Sequence, residues 1–236
     1  MEIDVRHWLC TTSVAAIVAW GPAFASDLPT HKAPPPPPPP AVFSWTGCYV
    51  GFHAGGDFGR SNWTMPNGGA AGVNTNGAIG GGQVGCNYQA NAFVIGGEAE
   101  VWASGLKGST ALQDPIFIRN VNTYETRSDF AGDLALRGGF AIDRLLMFGK
   151  VGLALARYEY SYTNQNTGAY AGEATHTGLL LGLGAEFAFD SHWSVKAEYD
   201  HIDYGHDSIG MSGGATFNAS LANVENIVKA GANYRF

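Results

Sequence analysis

The chain lacks the features that would assign it to several common functional classes. Only 14% of its 236 residues are charged, and with a net charge of −7 it has no cluster of Lys and Arg suited to neutralising nucleic-acid phosphates. No phosphate-binding glycine loop, zinc-ligand spacing or nucleophile elbow occurs in it. Outside the N-terminus no apolar run reaches about 18 residues, which excludes a helical membrane protein. We therefore expect no nucleic-acid partner, and no catalytic, cofactor-binding or metal-binding residue.

Glycine and aromatic residues, by contrast, are abundant. The chain has 33 Gly, and its aromatic content is 12%. This composition suits many strands joined by turns, and nothing in the interior of the chain resembles a linker. We expect one all-β domain.

The N-terminus has the pattern of an export signal followed by a spacer. Residues 1–25 hold an apolar stretch and end in Ala23-Phe24-Ala25, which predicts a signal peptide cleaved after Ala25. A short membrane anchor that stays attached is the alternative. Residues 26–44 contain seven consecutive prolines, which favour an extended, stiff periplasmic linker. A docking site for a proline-reading partner is the second interpretation of that run.

Residues 45–236 alternate between apolar and polar positions, as β-strands do. The last strand shows the pattern: Val228, Tyr234 and Phe236 share one parity, and Lys229 and Arg235 share the other. We predict strands at Trp45–Arg60, Gly77–Gln89, Ala92–Leu106, Arg127–Ile142, Leu145–Tyr162, Ala174–Asp190, Trp193–Tyr204 and Glu225–Phe236.

The connections between these strands alternate in length, and this predicts the architecture. Very short turns are expected at Ala90-Asn91, at Asp143-Arg144 and at Asp190-Ser191-His192. Long polar loops are expected at Ser61–Asn76, Lys107–Thr126, Thr163–Glu173 and Gly205–Val224. Short turns on one side and long loops on the other are typical of an eight-stranded, antiparallel, up-and-down transmembrane β-barrel with both termini in the periplasm. A soluble barrel around a ligand shows the same alternation, but glycines and charges of both signs on the polar face, aromatic residues at strand ends and the terminal Phe favour the membrane form.

Four segments carry a resemblance to a known family. They are Trp45–Gly51, Gly80–Gly85, Trp193–Tyr199 and Val228–Phe236. Together they resemble the small porin-like outer-membrane proteins of rhizobia, Brucella and their relatives, which have an OmpA-like β-barrel; Cys48 departs from the large aromatic residue usual there. The resemblance implies a surface-exposed protein of the cell outer membrane of a Gram-negative bacterium. It also implies that the outer-membrane insertion machinery reads the last strand through Tyr234 and Phe236, and some members of the family bind haem or host cells.

Ten charged residues share the polar parity and should face the barrel interior: Glu98, Glu100, Asp133, Arg137, Lys150, Glu186, Lys196, Glu198, Lys229 and Arg235. An eight-stranded barrel is just wide enough for side chains to fill it, so these charges should pair and plug the lumen. An ion pathway is the alternative. We therefore expect the protein to serve envelope integrity and surface-loop interactions. Its expected partners are outer-membrane lipid and an unknown surface ligand. The alternatives are a small-solute porin and a haem- or host-ligand-binding surface protein.

Three smaller patterns leave alternatives open. Cys48 and Cys86 share a parity on neighbouring strands, so a disulfide is compatible with the periplasm, although we favour two unpaired residues. The segment His201–Asp207 contains two His and two Asp that could bind a transition metal or haem, and we favour a solvated rim. His206 and Ser208 match the His-x-Ser spacing of lipid A deacylases, but we place them in a Gly-rich loop and expect no catalysis.

Overall fold

The computed structural model describes residues 43–66, 68–113, 121–165, 168–213 and 216–236. The predicted signal peptide and nearly all of the proline-rich linker lie outside these ranges. Eight strands are present: β1 Gly47–Thr64, β2 Ala70–Ala90, β3 Phe93–Gln113, β4 Val121–Ile142, β5 Leu145–Asn164, β6 Gly168–Ala188, β7 Trp193–Ser212 and β8 Thr216–Arg235. Among the described residues no helix is long and apolar enough to cross a membrane.

The strands form one closed barrel in sequence order. Each strand pairs antiparallel with the next, and β1 closes the ring by pairing with β8. The three predicted short turns are confirmed, and Asn91 and Asp143 adopt positive φ values of 56° and 51° in two of them. In the third, the Asp190 carboxylate accepts the backbone N–H groups of His192 and Trp193, which lowers its pKa. These turns lie at the same end of the barrel as the C-terminus, here called the lower end.

A belt of outward apolar side chains surrounds the lower half of the barrel. On β5 it runs from Leu145 to Leu155, and on β6 it runs from Leu179 to Phe187. These stretches match the roughly 9–11 residues that a tilted strand needs to cross the hydrocarbon of a bilayer. The next outward residues above the belt are Arg157 on β5 and Thr177 on β6. The belt therefore ends abruptly at a polar boundary.

The four predicted long loops are wrong. The strands contain 18–22 residues each, so most of every segment expected as a loop is strand. A strand of that length is roughly 65 Å long, about twice what the belt requires. The barrel wall continues above the belt as a polar extension, here called the turret. Its Gly, Asn, Ser and Thr residues are typical of loops, but the backbone ladder of the neighbouring strands overrides that preference.

The polarity of the two faces inverts between the belt and the turret. In the belt the outward side chains are apolar and the inward ones are charged. In the turret many inward side chains are apolar or aromatic, as at Trp63, Leu106 and Leu221, and the outward face is mostly polar. The sequence predicted one pattern for whole strands, with apolar side chains outward and polar ones inward. The structure shows that pattern only in the lower half of the barrel. The turret has the polarity of a barrel in water.

Cys48 and Cys86 are joined by a disulfide, so our preference for unpaired cysteines was wrong. The two residues are direct partners in the β1–β2 ladder, near the lower end of the barrel. Both side chains face outward, in agreement with the predicted parity. The sequence could not predict the bridge because it depends on a register that parity alone does not determine.

The wall is irregular where β6 meets β7 in the turret. Ladder pairs join Ala171 to Ser212 and Leu179 to Asp203, and the ladder is interrupted between them. Gly205, with a φ of 66°, lies at a bulge on β7 in this interval. His176 and Asp207 contact across the interruption, with 2.8 Å between Nδ1 and Oδ2. A side-chain contact thus spans the seam where the backbone ladder is interrupted.

The continuous strands of the turret predict a pattern of surface proteolysis. Trp63, Tyr124, Tyr170 and Phe217 fall in the segments first expected as loops, but the structure places them in strands with their rings directed inward. Chymotrypsin added to intact cells should therefore fail to cleave after these residues, whereas it should cleave after them in heat-denatured protein. Peptide mapping by mass spectrometry measures this, and cleavage on intact cells would mean that the turret is not a continuous wall.

Candidate functional site

The barrel interior is the candidate site, because it concentrates the buried charge of the protein. All ten charged residues predicted to face inward are buried. Asp57, Asp200 and Glu225 are buried inward acids as well. Glu225 could have been identified from the parity of β8, because it lies four residues before Lys229. It was missed because the strand was predicted to begin at Glu225 and its inward charges were assigned only from Lys229 onward.

Three lysines and three glutamates form the centre of the lumen. Lys150 lies 2.8 Å from Glu198, and Lys196 lies 2.7 Å from Glu100. Lys229 contacts Glu100 directly. Because each of these lysines also reaches a second carboxylate, no charge depends on a single partner. Asp200, 2.7 Å from Lys229, extends the network towards the turret.

This cluster includes the one group of His, Cys, Asp or Glu in the described residues whose atoms could jointly hold a metal ion. The group is Glu98, Glu100 and Glu198, with ligand atoms within 4.8 Å of one another. Each carboxylate, however, already contacts at least two lysine ammonium groups. A divalent cation would have to displace these ammonium groups, so the chemistry of the cluster is that of an ion-pair network.

Arg137 forms the layer below. Its guanidinium lies 2.8 Å from Glu186 and 3.4 Å from Glu98, and it stacks 4.0 Å from the centre of the Phe148 ring. The Tyr49 hydroxyl donates to Glu98 over 2.6 Å and accepts from Arg137 over 2.7 Å. Phe148 is an apolar residue on the inward face of β5, and its ring provides a surface for the guanidinium. Arg137 thus links carboxylates from two strands across the lumen.

The lower mouth is closed by residues that precede β1. Trp45 is fully buried, and its indole N–H donates to the Asp143 carbonyl over 3.2 Å. The Arg235 guanidinium lies 4.6 Å from the Trp45 ring centre and donates to the Ser44 carbonyl over 2.9 Å. Trp45 was predicted as the first residue of a strand, but it precedes β1 and its side chain fills the lower mouth of the barrel. We call this side chain the Trp45 cork.

Above the ion pairs, tyrosine and histidine side chains fill the lumen. Tyr158 and Tyr204 both donate their hydroxyls to Glu225. Tyr160 lies 2.9 Å from Nε2 of His176, whose other ring nitrogen contacts Asp207 at the seam. Hydrogen bonds therefore connect the interior of the turret to its outer surface.

Aromatic rings fill the upper part of the turret. Tyr162 lies 5.1 Å from Tyr124 and 5.9 Å from Tyr170, measured between ring centres. Phe217 packs 5.2 Å from Tyr170, and Trp63 packs 5.5 Å from Tyr124. The lumen is thus occupied by side chains from the Trp45 cork to these rings.

The residues considered for metal, haem or catalysis each have another partner or lie exposed on the wall. His201 bonds Asn226 over 2.9 Å, and the Asp203 carboxylate caps the bulge by accepting the Gly205 N–H. His206 and Ser208 are exposed on β7, so their placement in a loop was wrong. Within the described ranges, no hydrogen bond joins His206 to Ser208 or to a carboxylate. The pair also lies in the turret, beyond Tyr199, which is the uppermost exposed large apolar residue of β7.

The C-terminal residues form an aromatic girdle at the lower edge of the belt. Tyr234 packs 5.2 Å from Trp193 and 5.6 Å from Phe236, measured between ring centres. Phe236 is 76% exposed, and its N–H donates to the Cys48 carbonyl over 3.0 Å. Aromatic residues are favoured at a membrane–water interface, which agrees with the predicted position of this strand end.

Comparison with known proteins assigns this architecture to a family. Residues 38–236 match the model of the outer membrane protein beta-barrel domain. The 31 kDa outer-membrane immunogenic proteins of Brucella melitensis biotype 1 and Brucella suis biovar 1 are each 29% identical to the chain over 239 residues, covering 95% of it and 97% of each relative.

Solved structures share the fold. The outer membrane protease OmpT from Escherichia coli superposes with a TM-score of 0.52 at 10% identity, covering 83% of this chain and 99% of that one. The outer membrane protein OprG from Pseudomonas aeruginosa superposes with a TM-score of 0.51 at 9% identity, covering 82% and 99%. At such identities the likeness concerns the fold alone.

The paired interior predicts a large cost for removing one charge. Arg137→Met should lower the free energy of unfolding by about 3–5 kcal/mol, because it leaves buried carboxylates without their partner. Adding Glu186→Gln should restore part of the loss. Arg157→Met, which removes an exposed ion pair with Glu173, is the matched control and should cost at most about 1 kcal/mol. Urea unfolding in micelles measures all three, and equal effects of Arg137→Met and Arg157→Met would contradict the buried network.

Proposed function

Because the chain belongs to the outer membrane protein β-barrel family, we propose that it is a closed, non-enzymatic barrel that maintains the cell envelope and presents a rigid surface for interactions. The family membership, the eight-stranded fold and the outer-membrane location confirm what the sequence predicted. With the start of β1, the end of β8 and the short turns all at the lower end, that end is assigned to the periplasm and the turret to the outside.

The observation that carries the proposal is the filling of the lumen along its length. Trp45 closes the periplasmic mouth, the ion-pair network fills the part inside the belt, and aromatic rings fill the turret. A porin of small solutes requires a continuous aqueous path, and these side chains lie where such a path would run, which supports a closed barrel. Opening the network would also expose unpaired charges at a cost of several kcal/mol, which opposes spontaneous gating.

The surface available to partners differs from the one expected. Interaction was assigned to four long flexible loops, but the turret presents polar strands instead. A rigid surface loses less conformational entropy on binding than a flexible loop does. This supports recognition by the outer wall and rim of the turret. In the part of the chain that the structure describes, the ring nitrogens of His201 and His206 do not converge with other candidate ligands, so we do not propose haem binding by this pair.

Absence of enzymatic activity is part of the proposal. The family relatives are described as immunogenic outer-membrane proteins, and the likeness to OmpT concerns the fold alone. His206 and Ser208 lack the hydrogen bond through which a histidine base would activate a serine.

Planar bilayers test the closed lumen. The purified protein, folded in micelles, should produce no stable unitary conductance, because ions would have to cross the Lys–Glu network and the Trp45 cork. The same detergent without protein serves as the control. Regular conductance steps that survive repurification of the protein would overturn the closed reading and favour the porin alternative.

The C-terminal girdle predicts a kinetic role for Phe236 in assembly. Its exposed ring adds little to a folded barrel, so deletion of Phe236 should leave the refolding yield in micelles nearly unchanged. If the insertion machinery reads Tyr234 and Phe236, the same deletion should reduce outer-membrane abundance in cells. Equal abundance in cells would contradict this role, and an equal loss in both assays would show that Phe236 is ordinary packing.

A further inference from the structure

The disulfide between Cys48 and Cys86 lies on the lipid-facing side of the barrel. Both residues are exposed on the outer wall of the belt. Along the two strands, the exposed Val50 and Val84 lie above them, and the exposed Tyr88 lies below Cys86. The two cysteines also line an apolar groove of about 680 Å³ on this face. In the outer membrane the groove faces acyl chains, so hydrocarbon rather than water surrounds the bridge.

Hydrocarbon blocks the chemistry that makes or breaks such a bridge. Thiol–disulfide exchange proceeds through a thiolate that attacks a disulfide sulfur. A thiolate is charged, and moving a charge from water into an apolar medium is strongly unfavourable. Oxidation of Cys48 and Cys86 therefore has to precede insertion, while both thiols are still in the aqueous periplasm.

The inward side chains of β1 and β2 do not by themselves select one register. Tyr49 lies opposite Gly85, and its ring occupies the space that a Cβ at Gly85 would take. Gln83 lies opposite Gly51 in the same way. Large residues and glycines thus alternate on this face, and the inward glycines recur every four residues: Gly51, Gly55 and Gly59 on β1, and Gly77, Gly81 and Gly85 on β2.

Slips of the β1–β2 register by different numbers of residues have different consequences. A slip by one residue turns every side chain to the other face of the sheet. A slip by two places large residues opposite large residues, which overpacks a narrow interior. A slip by four restores the alternation, and glycine-rich strands specify their register only weakly. The cysteines distinguish these two registers, because after a slip by four Cys48 lies opposite Gly82 instead of Cys86.

We propose that a disulfide-bearing thiol oxidoreductase of the periplasm oxidises Cys48 and Cys86 before insertion, and that the bridge selects the register of the β1–β2 hairpin. The thiolate of one cysteine attacks the disulfide of the oxidant and forms a mixed disulfide. The thiolate of the other cysteine attacks the first cysteine's sulfur in that mixed disulfide, and the oxidant leaves as a dithiol. Two electrons and two protons thus pass from the chain to the oxidant.

The position of the bridge suits this role. It joins the open end of the hairpin, whereas the turn between the strands follows the ladder pair of Thr64 and Ala70 at the opposite end. The other edge of β1 pairs with β8, beginning with Tyr49 opposite Arg235. A register fixed on one edge of β1 therefore determines the height at which its other edge closes the ring. This argument does not depend on recognition of Phe236 by the insertion machinery.

Pulse-labelled cells test the order of the two events. Free thiols are trapped with a maleimide and assigned by peptide mapping, and the heat-modifiable shift in gel mobility identifies folded barrels. Every folded chain should already contain the bridge between Cys48 and Cys86. A water-soluble reductant should open this bridge in urea-unfolded protein and leave it intact in outer membranes. Folded chains that oxidise only later, or reduction in intact membranes, would overturn the proposal.

A displaced cysteine tests the selection of register. Gly82→Cys with Cys86→Val moves the second thiol four residues along β2, and a Cβ at Gly82 meets only ordinary contact. In the native register the Cα atoms of residues 48 and 82 lie roughly 14 Å apart, beyond the reach of a disulfide. The introduced thiol should be oxidised with Cys48, hold the hairpin in the slipped register and remove most of the protein from the outer membrane. Dithiothreitol in the growth medium should restore the abundance to that of Cys48→Val with Cys86→Val under the same conditions.

The matched control keeps Gly82→Cys and Cys86→Val and adds Cys48→Val with Phe52→Cys. Phe52 and Gly82 are direct ladder partners, so the new bridge forms in the native register. Outer-membrane abundance of the control should stay close to that of the original protein. The proposal is overturned if the displaced pair stays reduced, if that variant assembles as well as the control, or if its loss is the same with and without dithiothreitol.

Discussion

Closure of eight strands into one ring is the constraint on which the rest of the structure depends. A ring of this size leaves an interior only wide enough for side chains, so every inward residue must pack against another inward residue. Charged groups placed there lose water and need partners. The alternating network of Lys150, Lys196 and Lys229 with the glutamates of β3 and β7 satisfies that requirement. The charge-paired interior is therefore a consequence of strand number combined with burial.

The inversion of face polarity along each strand follows from the change of solvent. Inside hydrocarbon an outward side chain must be apolar, and the polar groups are confined to the interior. Above the boundary the outward side chain meets water, and the hydrophobic effect favours apolar and aromatic groups in the interior. One continuous ladder of backbone hydrogen bonds supports both arrangements, because the backbone pairs in the same way in either medium. The chain thus joins a membrane barrel and a water-type barrel without a linker.

At the boundary between the two media the outward side chains change from apolar to polar. Arg157 and Thr177 follow directly on the last leucines of β5 and β6, and the β6–β7 seam opens just above Leu179. An interrupted ladder leaves backbone groups unpaired, which hydrocarbon does not tolerate but water does. The position of the seam in the turret is therefore physically consistent with a membrane boundary below it. The contact between His176 and Asp207 joins the strands there by side chains.

The amino-acid sequence by itself determined the number of strands, their inward and outward faces in the belt, the short turns and the outer-membrane family. It did so because alternation with a period of two is a local property that lipid enforces strongly, as at Leu179–Phe187. Only the tertiary structure decided the length of the strands, the disulfide between Cys48 and Cys86 and the cork at Trp45. Each of these depends on cross-strand register or on ring closure. Polar turret segments such as Gly205–Val224 have residues typical of loops, and their strand conformation is stabilised by the neighbouring strands of the ladder.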